Sequence, residues 1–373
     1  MSRILTGFLI VLTLAACETR GRVILVPDAA KTGEIETVFV GTTRGPNPET
    51  GAEFDRGRSG TTRFVRLDVA IPPDRTAGQI HWTPERAAPD PKIDFLATNF
   101  QKYADNTDFR TDLARTLKQE RRGEREVTLF VHGFNNTFAE GAYRLAQLGH
   151  DLDLGGVLVN YSWPSRAHPL GYAYDRDSAL FARDGLEDLL NEVVAAGAER
   201  VLIVAHSMGS ALTMETLRQI AIGGNEKVRK RIEGVVLVSP DIDVEVFRAQ
   251  ATRMGGLPQP FLIFTSKKDR ALALSARLTG QQDRLGNVTD VSEVADLDVT
   301  LLDTTAFSEG GGHFNPGNSP ALLAILSRIA DVDTALATDR TGRPGLLPGA
   351  VLTVQNATQI ILLPVTAISG AQP

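Results

Sequence analysis

The 373-residue chain has a single cysteine, Cys17, so no disulfide can form within it. Its six histidines are scattered and join no Cys/His cluster, which leaves no metal-ligand spacing and implies no metal or organic cofactor. Basic residues are not in excess. With 39 Lys and Arg against 45 Asp and Glu, the net charge is −6. There is no basic run and no aromatic-interleaved patch, so nucleic acid is excluded as a partner. The apolar run at the start, Ile4 to Leu14, falls short of the ~20 residues that cross a bilayer. No internal repeat is visible. What remains is 42% hydrophobic and 23% charged, the balance of a soluble globular protein with a sizeable core. The length allows one large α/β domain or two smaller ones.

The first twenty residues read "MSRILTGFLIVLTLAACETR": a basic start, a short apolar centre, two small residues and then Cys17. That is the layout of a cleaved signal peptide. The "LAAC" ending resembles the bacterial lipobox, in which the cysteine is acylated and becomes the first residue of the mature chain. A plain secretory signal with an incidental cysteine is the alternative. Acylation of Cys17 leaves no free thiol in an oxidising compartment. Residues 1–16 are therefore read as a lipoprotein signal peptide and 17–36 as a tether.

Strand-like and helix-like segments then alternate. "TVFVGTTR" and "RFVRLDVAIP" read as strands on either side of a Gly/Pro-rich loop, and residues 73–107 look irregular. "DFRTDLARTLKQERRGER" has apolar residues at Phe109, Leu113 and Leu117, a helical step. From residue 126 the rhythm is regular. "EVTLFVHGFN" is a strand, and the next helix opens with Thr137 and Glu140 at capping-box spacing. "GVLVNYSW" follows as a strand, then "ALFARDGLEDLLNEVVAAGAER" as a single amphipathic helix. "RVLIVAHSMG", "IEGVVLVSPDID", "PFLIFTSKKD" and "DVTLLDTT" are further strands, and "SPALLAILSRIA" is a closing helix. Near-continuous apolar strands are those of a parallel sheet buried on both faces. The expected fold is one α/β domain over 37–333, a mostly parallel doubly wound sheet with helices on both faces. Residues 334–373 break the rhythm as a linker and apolar tail.

One of these strand ends carries chemistry. "VLIVAHSMGS" ends a buried strand on a polar pair and turns at glycine. A serine needs an adjacent base to act as a nucleophile. A tight strand-to-helix turn lifts Ser207 clear of the sheet, small residues at Ala205 and Gly209 prevent clashes, and the amides at the start of the helix can face an oxyanion. The pattern is A-x-S-x-G, with Ala205 where glycine is usual; read alone, it also fits an inert turn. His313, in the glycine-rich "EGGGHFNP", supplies a base downstream. Asp269 and Asp241, each in the loop after a buried strand, are the acid candidates, and Asp241 also reads as a helix cap. "FVHGFNN" offers a second oxyanion donor in the amide of Phe134. His132 reads as a hydrogen-bonding structural residue and His206 as a brace for the turn.

Together these residues give the chain its resemblance. It resembles the α/β-hydrolase superfamily from about residue 37 to 330. Within that superfamily it is similar to a bacterial lipoprotein family of α/β-hydrolases of unknown function, through the blocks "VFVGTTR", "HGFNN", "YSWPS", "AHSMGS", "SPDID" and "KKDRALALS". The resemblance implies a Ser207–His313–Asp269 triad with the Phe134 and Met208 amides as oxyanion hole. The family itself fixes no substrate. Triad and lipobox together are read as a membrane-anchored serine hydrolase of small-molecule or lipid esters in the bacterial envelope. Glu18 after Cys17 gives no inner-membrane retention signal, which makes the outer membrane facing the periplasm the default site. A lipidated binding protein that has lost catalysis, or amide, thioester or acyl-transfer chemistry on the same triad, is the alternative.

Overall fold

The structure, a computed structural model, describes residues 19–48, 51–280, 283–288 and 290–307, together with two short strands at 351–354 and 357–361. Cys17, His313 and the expected closing helix lie outside the described residues.

The strands are β1 (Glu34–Gly45), β2 (Gly57–Ile71), β3 (Leu96–Lys102), β4 (Glu126–Val131), β5 (Val157–Ser162) and β6 (Arg200–His206), then β7 (Ile232–Val238), β8 (Phe261–Thr265), β9 (Val299–Asp303), β10 (Val351–Val354) and β11 (Ala357–Ile361). They form one sheet in the order β10-β11-β9-β8-β7-β6-β4-β5-β1-β2-β3. From β11 to β1 every neighbouring pair is parallel, while β10, β2 and β3 run antiparallel to their neighbours. The helices are α1 (Asn106–Leu117), α2 (Phe138–Leu152), α3 (Tyr172–Phe181), α4 (Arg183–Ala195), α5 (Met208–Gly223), the single turn α6 (Glu226–Arg229), α7 (Val244–Met254) and α8 (Arg270–Leu278).

Alternate residues of the central strands enter two cores. Phe39, Leu129 and Val159 point into the larger one, beneath α1, α4, α5 and α7. Val38, Val40, Phe130 and Leu158 point to the other face, where α2 packs through Phe138, Ala142, Tyr143 and Leu145. A sheet covered on both sides must be largely apolar on both, which is why β6, β7 and β8 read as near-continuous apolar runs. This is the expected single α/β-hydrolase domain.

Several elements differ in detail from their sequence reading. The 73–107 stretch contains β3, an edge strand whose buried positions are confined to its first two residues, too short a pattern to register. The single helix expected before β6 starts earlier, at Tyr172, and divides at the buried Ala182. Helices α7 and α8 follow directly on the loops carrying the acid candidates, capped by Asp243 and Asp269. The cap at α7 is thus Asp243 and not Asp241. Residues 24–26, in the stretch read as a tether, bond to the β3 edge: Val26 N donates to Ala97 O and Ala97 N to Ile24 O. Two strands from the apolar tail, β10 and β11, extend the sheet beside β9.

Candidate active site at the carboxyl ends of the strands

Parallel strands present their carboxyl ends, and the loops that follow them, along one edge of the sheet. The turn after β6 is the sharpest of these. Ser207 has φ 51° and ψ −120°, a conformation that costs a non-glycine residue about 1–3 kcal/mol. The turn is stitched to its neighbour: Ser207 N donates to Val238 O at the end of β7 (2.9 Å), and Ser207 O accepts from Ser210 N and Asp241 N. Helix α5 begins at once, with Met208 as its first residue and its amide among the unpaired donors of a helix start.

Two glycines let the β4 loop approach this turn. A Cβ on Gly209 would sit 2.3 Å from His132 O and 2.6 Å from Val131 O, so only glycine lets α5 start against the end of β4. A Cβ on Gly133 would lie 2.6 Å from His206 Nδ1 and 3.0 Å from Ser207 Cβ. The chain at Gly133–Phe134 therefore passes directly beside the serine. Among the described residues nothing accepts from the Phe134 amide.

The loop after β4 is held from below by charged and polar groups that the sequence reading did not single out. Arg44, at the end of β1, is almost fully buried. Its Nε donates to Ser162 Oγ (2.8 Å), Nη1 to Ser165 O (3.0 Å) and Asp55 O (3.4 Å), and Nη2 to Asn136 O (2.7 Å). Asp175, in α3, accepts from Ser165 Oγ (2.6 Å), Arg166 N (2.6 Å) and Asn135 N (3.2 Å). Burial pulls the Arg44 pKa down to about 10 and pushes that of Asp175 up, with each charge opposing the other's shift. Asn136 N donates to Ser165 Oγ (3.1 Å), and its side-chain amide to Gly133 O and Phe134 O. The main chain from Gly133 to Asn136 is thus fixed at both ends. An arginine inside the small and apolar run "VFVGTTR" was the available signal: a cation on a buried strand must find acceptors on its neighbours.

His132 belongs to this support. Its ring stacks on Trp163 (4.9 Å, 15°), and its carbonyl accepts from Trp163 Nε1. Nδ1 donates to Gly133 O (2.9 Å), which leaves Nε2 to accept from Arg44 Nη2 (3.3 Å), a neutral imidazole. Burial first, and the Arg44 charge second, hold its pKa down at about 3. An unfolded chain binds that proton near pH 6.5, so between pH 6.5 and 3 the unfolded state holds a proton the folded state refuses. Stability from this group therefore falls as pH falls through that window, by about 1.4 kcal/mol per pH unit. Urea unfolding at several pH values should show His132→Gln flattening the acid-side slope by one proton relative to the native chain. An unchanged slope would assign the acid sensitivity elsewhere.

The two acid candidates sit differently. Asp241, after β7, has both carboxylate oxygens engaged: Oδ2 accepts from Tyr172 (2.9 Å), and Oδ1 accepts from Ser275 Oγ (2.6 Å) and pairs with Arg284 Nε (3.1 Å). The side chains of this ion pair are nearly fully buried. Tyr172 also meets Ser275 (2.6 Å) and packs edge-on against Phe134 (5.7 Å), so this cluster walls the site on the side of α3 and α8. Asp269, after β8, is 2% exposed, and its Oδ1 accepts from Leu272 N (3.0 Å) as the cap of α8. The structure thus brings Ser207, Met208, Phe134 and Asp241 to one region of the strand ends and sets Asp269 at the end of β8, two strands from β6. Among the described residues no group of three or more His, Cys, Asp or Glu could hold a metal ion.

A mostly parallel sheet with a strained serine between a central strand and a helix defines the α/β-hydrolase class. The sequence profile described as "Alpha/beta hydrolase of unknown function (DUF900)" matches residues 105–329, and the chain belongs to that family. No curated protein matches it. Among solved structures, a chain from a study of two fungal esterases of Rhizomucor miehei is 14% identical, with 82% of this chain and 87% of that one covered at a TM-score of 0.35. Thermogutta terrifontis esterase 2 is 10% identical over 73% and 89%, with a TM-score of 0.33. Lipase B of Aspergillus fumigatus is 15% identical over 60% of this chain, which spans 54% of that lipase, with a TM-score of 0.34. Likenesses this distant say nothing of activity.

Proposed function

We propose that the chain is a membrane-anchored serine hydrolase of carboxylic esters. The strained turn that sets Ser207 beside Gly133–Phe134 is the observation that carries this reading. Ser207 Oγ attacks the ester carbonyl while His313 takes its proton, and the amides of Phe134 and Met208 receive the oxyanion. The imidazolium then gives its proton to the departing alcohol, and water, deprotonated by the same imidazole, releases the acid from the acyl-enzyme. Asp269 holds the imidazole in the right tautomer and stabilises its charge. Asp241 is instead part of the wall that it builds with Tyr172, Ser275 and Arg284, and Asp269 is taken for that part from its place after the strand that follows β7. A screen of p-nitrophenyl esters of increasing acyl length on the purified protein tests the activity and reads the preferred chain. Hydrolysis of none of them, with a folded protein, would contradict the reading.

Cys17 is the proposed anchor, placing the enzyme at the bacterial envelope with the outer membrane as its site. Among the described residues no helix is long and apolar enough to cross a membrane. Each buried methylene of an acyl chain contributes about 0.8 kcal/mol, so several chains hold the protein firmly. Metabolic labelling with a fatty-acid analogue should mark the native chain and not Cys17→Ser, which should also leave the membrane fraction. Equal labelling of both would refute lipidation at this residue.

A further inference from the structure

We propose that Arg20 and Gly21, only three and four residues beyond Cys17, form a latch on the loop after β4, with Arg20 acting as a positioning residue for the Phe134 amide. This rests on the reading of that amide as an oxyanion donor. Arg20 reaches the outer side of the loop. Its Nη1 donates to Asn135 Oδ1 (3.0 Å), and its Nη2 to Asn135 O (2.7 Å) and Glu140 Oε2 (2.7 Å). Gly21 is bonded in both directions: its N–H donates to Glu140 Oε1 (2.8 Å), and its carbonyl accepts from Thr137 Oγ1 (2.8 Å). Glu140 and Thr137 are the capping box of α2, so the latch is built on the first turn of the helix that follows the loop.

The fit is close. A Cβ on Gly21 would lie 2.5 Å from Glu140 Cγ and 2.7 Å from Trp82 Cη2, so the backbone is pressed into a slot that admits only glycine. Asn135, adjacent to Phe134, sits at φ 60°, a left-handed conformation that asparagine adopts more readily than other side-chain-bearing residues. Two contacts keep it there. Asp175 accepts its N–H from the core side, and Arg20 holds its carbonyl and side chain from the outer side. Without Arg20 the loop keeps its core-side bonds through Asp175, Ser165, Arg44 and Asn136, but the carbonyl and side chain of Asn135, next to the Phe134 amide, lose their outer hold. The chain from Cys17 to Arg20 spans at most about 11 Å, so an anchor on Cys17 starts at the edge of this loop.

The test uses the full chain, purified in detergent, with Arg20→Ala and Arg20→Lys. Hydrogen exchange on peptides spanning residues 133–137 reads the latch without turnover. Loss of the charged donor should speed exchange there by about tenfold in Arg20→Ala, and lysine should restore part of the protection. On p-nitrophenyl butyrate, Arg20→Ala should lower kcat about tenfold with KM within about twofold. The Ki of a trifluoromethyl ketone, which presents an oxyanion, should rise in step with the loss in kcat. Unchanged exchange in Arg20→Ala would overturn the latch. So would faster exchange with kcat and Ki intact, or a loss of kcat matched only by a fall in folded fraction on thermal melting. A fully active Ser207→Ala would instead sink Ser207 as the nucleophile and with it the oxyanion role of the Phe134 amide, and the exchange measurement would still decide whether the latch exists.

Discussion

Ser207→Ala is expected to lower ester turnover by about a millionfold, because members of a serine–histidine pair act as a unit and removing one removes the covalent route. Binding should persist, since the walls formed by Phe134, Tyr172 and the α8 side are untouched. A second variant separates the chemical loss from any damage to the fold. Ser207→Gly loses the same nucleophile, yet glycine adopts φ 51°, ψ −120° without a Cβ penalty. It should therefore melt above the native protein, by about 1 kcal/mol in stability. A dead and stabilised Ser207→Gly would show that strain at this residue is held for function. Thermal melts beside kinetics on both variants check the pair of outcomes.

The second large effect separates the two carboxylates. Asp269→Asn should lower turnover by about 10⁴, the loss seen when an imidazole keeps its place but not its tautomer. Its melting should change little, because an asparagine side-chain oxygen can still cap α8 through Leu272 N. Asp241→Asn breaks a buried ion pair with Arg284 and should destabilise the fold by on the order of 3 kcal/mol, with modest effects on rate below the melting transition. Kinetics and melts on both decide the matter. A catalytic collapse in Asp241→Asn with a normal melt, and near-native rates in Asp269→Asn, would move the acid to the loop after β7.

The sheet was legible because its strands are buried on both faces. Runs such as "VLIVA" and "VVLV" cannot sit anywhere but in a doubly covered sheet, and the Thr137–Glu140 spacing marked the start of α2. Edge strand β3 was not legible, because an edge buries few side chains and leaves little periodicity. Nor was the division at Ala182, a buried residue whose carbonyl accepts from the Tyr161 hydroxyl (2.6 Å), a contact that no local spacing reveals. At the site, the small residues on both sides of Ser207 in "AHSMG" made a tight turn legible, and the preceding strand and following helix placed it. Arg44, Asp175, Tyr172 and Arg284 were not legible, since each reaches a partner forty or more residues away in the chain, which no local spacing reveals. Arg20 is the extreme case: it sits in a stretch that reads as a tether, yet bonds to a loop 115 residues away.

The most direct test of the account is mass spectrometry of the purified protein after reaction with a fluorophosphonate. One adduct per chain is expected, carried by the peptide that contains Ser207 and absent from Ser207→Ala. Ester hydrolysis by a protein that takes no adduct, or takes it on another residue, would contradict Ser207 as the nucleophile.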